Sequence, residues 1–148
     1  MTNDYVVRAF DPADTDRLLE IWLAASKIGH PFLGDAVLRD QMKLVRDIYL
    51  PQAETWVACK THRAIGFIGL LDNFIGGLFV DPSFHGHGIA KTLINAASSR
   101  YPSLDVDVYE DNPIAPTVYQ RLGFREISRR LTDDDGRPHP LIRMRLSP

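Results

Sequence analysis

Gly77-Leu78-Phe79-Val80-Asp81-Pro82-Ser83-Phe84-His85-Gly86-His87-Gly88-Ile89-Ala90-Lys91-Thr92-Leu93 is an apolar strand that runs into a glycine-containing turn and then into a helix. Asp81-Pro82 ends the strand, because proline has no amide to donate to a ladder. The helical run carries Ile89, Leu93, Ile94, Ala97 and Tyr101 at helical spacing. A helix start leaves several backbone N–H groups without intrahelical partners, with the positive end of the helix dipole behind them. Such a turn is a cradle for phosphate. Gly86 and Gly88 let the backbone approach a bulky anion with no Cβ in the way.

Two common phosphate motifs fit poorly. A P-loop needs Gly, four residues, then Gly-Lys-Ser/Thr; Lys91-Thr92 is present, but Ala90 and His85 stand where the glycines belong. A dinucleotide fingerprint needs a third glycine where Lys91 stands, and follows an early parallel βαβ strand. Here the preceding stretch is different. Glu54–Lys60, Ala64–Leu71 and Phe74–Val80 read as strands joined by connections of a few residues, hence an antiparallel meander. Trp56 and Ala58 share one face of the first of these, Val57 and Cys59 the other.

Upstream, Asp4–Phe10 reads as a strand. Asp11-Pro12-Ala13-Asp14 starts an amphipathic helix with Leu18, Ile21, Trp22, Ala25 and Ile28, closed by Gly29. After the loop His30–Gly34, Asp35 is expected to cap a second helix that Pro51 stops. Downstream, Leu104–Glu110 alternates Leu104, Val106 and Val108 with Asp105, Asp107 and Tyr109. A short helix with Val118, Tyr119 and Leu122 ends at Gly123, and strands are expected near Phe124–Leu131 and Leu141–Leu146. The order β-α-α-β-β-β-α-β-α-β-β predicts one α/β (α+β) domain over residues 1–148, with a single mixed, mostly antiparallel sheet flanked by helices.

Composition narrows the function classes. The chain has 148 residues, 17 basic and 19 acidic, for a formal net charge of −2. That balance argues against a nucleic-acid binder relying on bulk charge. No apolar stretch is long enough to span a bilayer, and Met1-Thr2-Asn3-Asp4 shows no export signal, so no membrane partner and a cytoplasmic location are expected. The one cysteine, Cys59, excludes an internal disulfide and reads as a buried structural thiol.

Val80-Asp81-Pro82 followed by His85-Gly86-His87-Gly88-Ile89-Ala90 resembles the acetyl-CoA motif of the GNAT N-acetyltransferases, whose pattern is Arg/Gln-x-x-Gly-x-Gly/Ala. Gly88 and Ala90 match; His85 stands at the Arg/Gln position. Asn112, Ala115, Tyr119 and Leu122-Gly123-Phe124 resemble the family's second motif, and the element order is the family's too, so the resemblance covers nearly the whole chain. The His30-Pro31-Phe32-Leu33 loop further resembles small stand-alone bacterial members, some regarded as protein-lysine acetyltransferases.

The resemblance implies acetyl-CoA as co-substrate and no metal. Its pyrophosphate is expected on the amides of Gly86, His87, Gly88, Ile89 and Ala90, with Lys91 beside them. Its pantetheine is expected to pair like a strand against Leu78, Phe79 and Val80, with an amide near Leu78 meeting the acyl oxygen. An amine, small molecule or protein lysine, then attacks directly, and Tyr119 protonates the leaving thiolate. Spacing alone makes Tyr119 a half-buried core aromatic; the two motifs together make it the acid. The family's acid on the fourth strand is replaced by Gly76, which leaves Glu110, Asp107 or water to take the amine's proton, or the acids simply facing solvent. His85 and His87 read as phosphate contacts, as loop surface or, lacking a nearby third ligand, poorly as a metal pair. Asn112 is a cap or a pantetheine contact, and Pro113 and Pro116 delay the start of its helix. His30, Phe32 and Tyr109, with Trp22 and the Asp133–His139 loop, are the candidate acceptor residues. A monomer or homodimer is expected, and the alternative to an enzyme is a CoA-binding sensor with the same fold.

Overall fold

The computed structural model describes residues 5–148. Seven strands form one sheet in the order β1-β2-β3-β4-β5-β7-β6. They are β1 (Tyr5–Ala9), β2 (Glu54–Lys60), β3 (Arg63–Leu71), β4 (Phe74–Val80), β5 (Leu104–Tyr109), β6 (Arg125–Arg130) and β7 (Leu141–Leu146). Every neighbouring pair is antiparallel except β4 and β5. The helices are α1 (Thr15–Gly29), α2 (Asp35–Leu44), the single turn α3 (Leu50–Gln52), α4 (Ile89–Ser98) and α5 (Ala115–Arg121). This is the mixed, mostly antiparallel architecture that the sequence predicts; the expected start of the first strand at Asp4 lies outside the described residues.

Alternation along the strands splits the core into two layers. On one face Val57, Cys59, Ala64 and Phe67 pack under α1 and α2 through Leu18, Ile21, Trp22 and Leu38. On the other, Ala58, Ile65, Ile68 and Ile75 pack under α4 and α5 through Ile89, Leu93, Ile94 and Tyr119. Cys59 is buried, where desolvation pushes its thiol pKa up, so it is a packing residue and not a thiolate.

Three helix boundaries differ from the sequence reading. Gly34, with φ +83°, stands at the cap where Asp35 was expected, and Asp35 is the first helical residue. Pro51 does not stop the second helix. A π turn over Val45–Tyr49 widens the ladder, with the Leu50 amide donating back to the Val45 carbonyl, and Pro51 then sits in the first turn of α3, where its missing N–H costs nothing. Tyr101 lies beyond α4, which ends at Ser98; its hydroxyl donates to Glu54 Oε1 at 2.6 Å.

The feature that positions the site is the seam between β4 and β5. Only Phe74 pairs with Asp105 and Ile75 with Val106. Beyond them the strands diverge. On the other edge of β4, Ile75 pairs with Leu70 but Gly77 pairs with Gly69, so Gly76 is an extra, bulged residue. A bulge bends its strand and sharpens the local twist, which carries the end of β4 away from β5.

Candidate active site

The divergence opens a cleft of about 630 Å³. It is lined by the end of β4, the turn before α4, the second half of β5, the C-terminal end of α1 and the start of α5. The Asp81 amide donates to the Ile65 carbonyl, at 2.8 Å. Bonded and non-bonded pairs alternate along an antiparallel ladder. In the Gly69–Gly77 to Gly66–Val80 register, Phe79 therefore bonds to β3, while Leu78 and Val80 turn their peptide groups to the open side. The expected strand-like contact thus falls on Leu78 and Val80. Phe79 contributes packing: its ring meets Trp22 at 6.1 Å and Phe67 at 5.5 Å.

At one end of the cleft is the turn into α4. Gly86 and Gly88 have φ of +81° and +78°, the left-handed region that glycine occupies without strain. Among the described residues, the amides of Gly86, Gly88, Ile89, Ala90 and Lys91 donate to no other group, and all five residues line the cleft, whereas His87 between the two glycines does not. His87 departs from expectation. Its amide is taken by the Phe84 carbonyl at 3.2 Å, and its ring packs on Phe84 at 5.6 Å with Nδ1 3.5 Å from the Tyr5 hydroxyl. His87 does not line the cleft, and its amide is not free to meet a phosphate there. His85 does line the cleft, with Nε2 3.3 Å from the Val80 carbonyl oxygen.

Tyr119 lies across the cleft from β4, 6 % exposed, its ring edge-on to Phe124 at 5.1 Å. Burial pushes its phenol pKa up, so it holds its proton at neutral pH. Its hydroxyl makes no hydrogen bond among the described residues. Asn112 is a cap: Oδ1 accepts from the Ile114 and Ala115 amides, both at 2.9 Å, which starts α5 after Pro113. Its amide nitrogen rests on α1, where a Cβ on Gly29 would come within 2.8 Å of it.

Glu110 falls outside the cleft. β5 ends at Tyr109, so the alternation that aims Asp107 and Tyr109 at the site does not carry on, and the Glu110 carboxylate pairs with Arg129 at 2.6 Å. Asp107 reaches the cleft wall but is committed. It accepts from Arg143 Nε at 2.8 Å and Nη2 at 3.0 Å and from Arg130 at 3.1 Å. Burial alone would raise its carboxyl pKa; the two arginines outweigh that and hold it below the usual range.

At the other end, four rings cluster. His30 meets Tyr109 at 5.0 Å and Phe32 at 5.9 Å; Phe32 meets Tyr109 at 5.2 Å and His139 at 4.8 Å. The Tyr109 hydroxyl donates to Asp133 Oδ2 at 2.9 Å. Asp133, with its side chain 1 % exposed, also accepts from the Asp135 and Arg137 amides and from Arg137 Nη1. This staple holds the late loop against β5. Sequence reasoning included that loop but not the buried acid that fixes it. A carboxylate two residues before another acid and four before an arginine, in a turn closed by Gly136, was the available signal. Trp22, also considered for the acceptor, is buried in the core under α1. Among the described residues no cluster of three metal-ligating side chains occurs, and no helix is long and apolar enough to cross a membrane.

A split between a parallel strand pair and free amides on a glycine turn at the head of a helix, in a mixed sheet flanked by helices, define the acetyltransferase fold. Residues 24–147 match the acetyltransferase (GNAT) domain family, and the chain belongs to it; it is an acyltransferase. It is 35 % identical over 130 residues to peptidyl-lysine N-acetyltransferase YjaB of Salmonella typhimurium, covering 87 % of this chain and 89 % of that protein. It is 32 % identical over 134 residues to peptidyl-lysine N-acetyltransferase YiaC of Escherichia coli, covering 90 % and 92 %. The solution structure of apo-form YjaB from Escherichia coli superposes with a TM-score of 0.88 at 31 % identity, covering 98 % of this chain and 97 % of that one.

Proposed function

We propose that this chain, as a single catalytic domain, moves an acetyl group from acetyl-CoA directly to a primary amine, with a protein lysine as the acceptor class. The observation that carries the reading is the geometry of the cleft. One wall offers the Leu78 peptide group and the Val80 amide, one end offers free amides at Gly86 and Gly88–Lys91, and the opposite wall carries the Tyr119 phenol. A chain of amides ending in phosphates fits the first two features. The lysine acceptor is supported by the names of the two relatives.

In this reading the Leu78 amide donates to the thioester oxygen and strengthens that bond as negative charge develops on attack. The amine nitrogen bonds to the carbonyl carbon, the carbon–sulfur bond breaks, and the thiolate takes the Tyr119 proton. A phenol whose pKa is raised by burial is a weak acid in isolation, but a thiolate leaving in the same dry cleft is a correspondingly strong base. His85 lines the phosphate end and stands where the family's Arg or Gln does.

The engaged state of Asp107 favours a second reading, a CoA-binding sensor with little chemistry, because it leaves the cleft without a free carboxylate. Thiol release from acetyl-CoA with a capped lysine peptide and a panel of small amines separates the two. Transfer predicts turnover that Tyr119→Phe lowers by about 10²-fold or more with CoA binding unchanged. Binding of CoA with no thiol release for any amine supports the sensor.

A further inference from the structure

We propose that His30 is the catalytic base that takes the proton from the attacking amine; the inference rests on the transfer reading above. The argument is an inventory of what lines the cleft. Among the described residues its titratable side chains are His30, His85, Lys91, Asp107, Tyr109, Tyr119 and Arg121. Lys91 and Arg121 are cations with no proton-accepting lone pair at neutral pH. Asp107 is held by Arg143 and Arg130. Tyr109 gives its hydroxyl proton to Asp133. Tyr119 faces the thiolate, and His85 sits at the phosphate end with Nε2 against the Val80 carbonyl. Of the two histidines that line the cleft, His30 is the one whose ring nitrogens both lack a hydrogen-bond partner among the described residues.

Its surroundings suit the task. His30 follows α1 directly, its amide bonded to the Ser26 carbonyl at 2.7 Å, so the backbone is fixed. Tyr109 and Phe32 clamp the ring, with centroids at 5.0 and 5.9 Å. Burial lowers its pKa to about 4, so the imidazole is neutral and able to accept at pH 7. The groups facing this ring cluster are Tyr109, bound to Asp133, and beyond Phe32 His139, whose Nδ1 lies 3.3 Å from Asp111. None places a carboxylate on His30 itself. The low basicity limits the step to a proton that has become acidic. An amine that has bonded to the thioester carbon carries positive charge on nitrogen, and that N–H is far more acidic than the free ammonium. The acceptor attacks as the neutral amine; His30 takes this proton, the C–N bond remains, the thiolate departs with the Tyr119 proton, and the imidazolium proton passes through solvent back to the Tyr119 phenolate. Aromatic rings within about 6 Å ease the transient positive charge. Gly76 then needs no acid, because the base approaches from α1 and not from β4.

The test is steady-state thiol release with acetyl-CoA and a capped lysine peptide, on wild type, His30→Ala and His30→Gln. Expected is a fall in kcat of roughly 10²-fold in both His30 variants, with KM for acetyl-CoA and the melting temperature near wild type. Added imidazole is expected to restore at least tenfold to His30→Ala and nothing to His30→Gln, whose side chain still fills the space. The proposal is overturned if His30→Gln keeps kcat within threefold of wild type. It is equally overturned if imidazole fails to restore His30→Ala. A wild type that releases no thiol with any amine refutes the transfer reading itself, an outcome distinct from all of these.

Discussion

Asp133→Asn tests whether the staple under the late loop is as strong as its geometry says. The carboxylate is 1 % exposed and takes four donors: the Asp135 amide at 3.0 Å and the Arg137 amide at 2.8 Å on Oδ1, the Tyr109 hydroxyl at 2.9 Å and Arg137 Nη1 at 3.2 Å on Oδ2. Asparagine keeps the shape and the Oδ1 bonds. Its NH₂ group, however, meets two donors where Oδ2 accepted. Losing one neutral and one charged bond at a buried position costs about 2–4 kcal/mol. For a domain of this length that is a fall in Tm of roughly 5–12 °C. The pH dependence has a definite sign. Burial raises the Asp133 carboxyl pKa, but the backbone amides, Tyr109 and Arg137 outweigh it and hold it below the ordinary value. A depressed carboxylate contributes stability that is full above the unfolded value, about 3.9, and is lost as pH falls through the folded one. Melting curves by circular dichroism at pH 7 and at steps below pH 4 are the assay. The gap between wild type and variant should be wide at pH 7 and close in acid. A gap under 2 °C at pH 7, or one that stays constant into acid, refutes the reasoning.

Two adjacent glycines should behave differently. A Cβ on Gly76 meets nothing closer than 3.6 Å, whereas one on Gly77 would come within 2.6 Å of the Phe79 ring. Gly77→Ala must turn that ring off Trp22 and Phe67, costing about 1–3 kcal/mol in chemical denaturation, while Gly76→Ala stays within about 0.5 kcal/mol of wild type. Gly88→Ala forces a side chain to φ +78° at the head of α4 and should cost about 1–2 kcal/mol and weaken CoA binding in calorimetry. Asn112→Ala removes both bonds at the start of α5, for a loss of about 1 kcal/mol read from the same denaturation curves.

The elements were legible because their signals are local. Alternation in Leu104–Tyr109, the short turns between β2, β3 and β4, and the glycine turn before α4 each declare themselves within ten residues. What failed depended on geometry that local patterns do not carry. Pro51 reads as a stop until a π turn upstream resets the ladder. His87 reads like His85 until the Phe84 carbonyl claims its amide. Glu110 reads as one more residue of β5, but the strand ends one position earlier and Arg129, from a distant strand, takes the carboxylate. The engagement of Asp107 is likewise invisible in sequence, since Arg143 lies 36 residues away.

The seam between β4 and β5 has a mechanical consequence. Two rungs, Phe74–Asp105 and Ile75–Val106, are the only strand pairing among the described residues between the four-stranded half β1–β4 and the three-stranded half β5–β7–β6. A ligand lying along Leu78 and Val80 supplies rungs the polypeptide omits, so occupancy becomes part of the sheet's own cohesion. Amide exchange on both sides of the gap should then slow together when the cleft is filled.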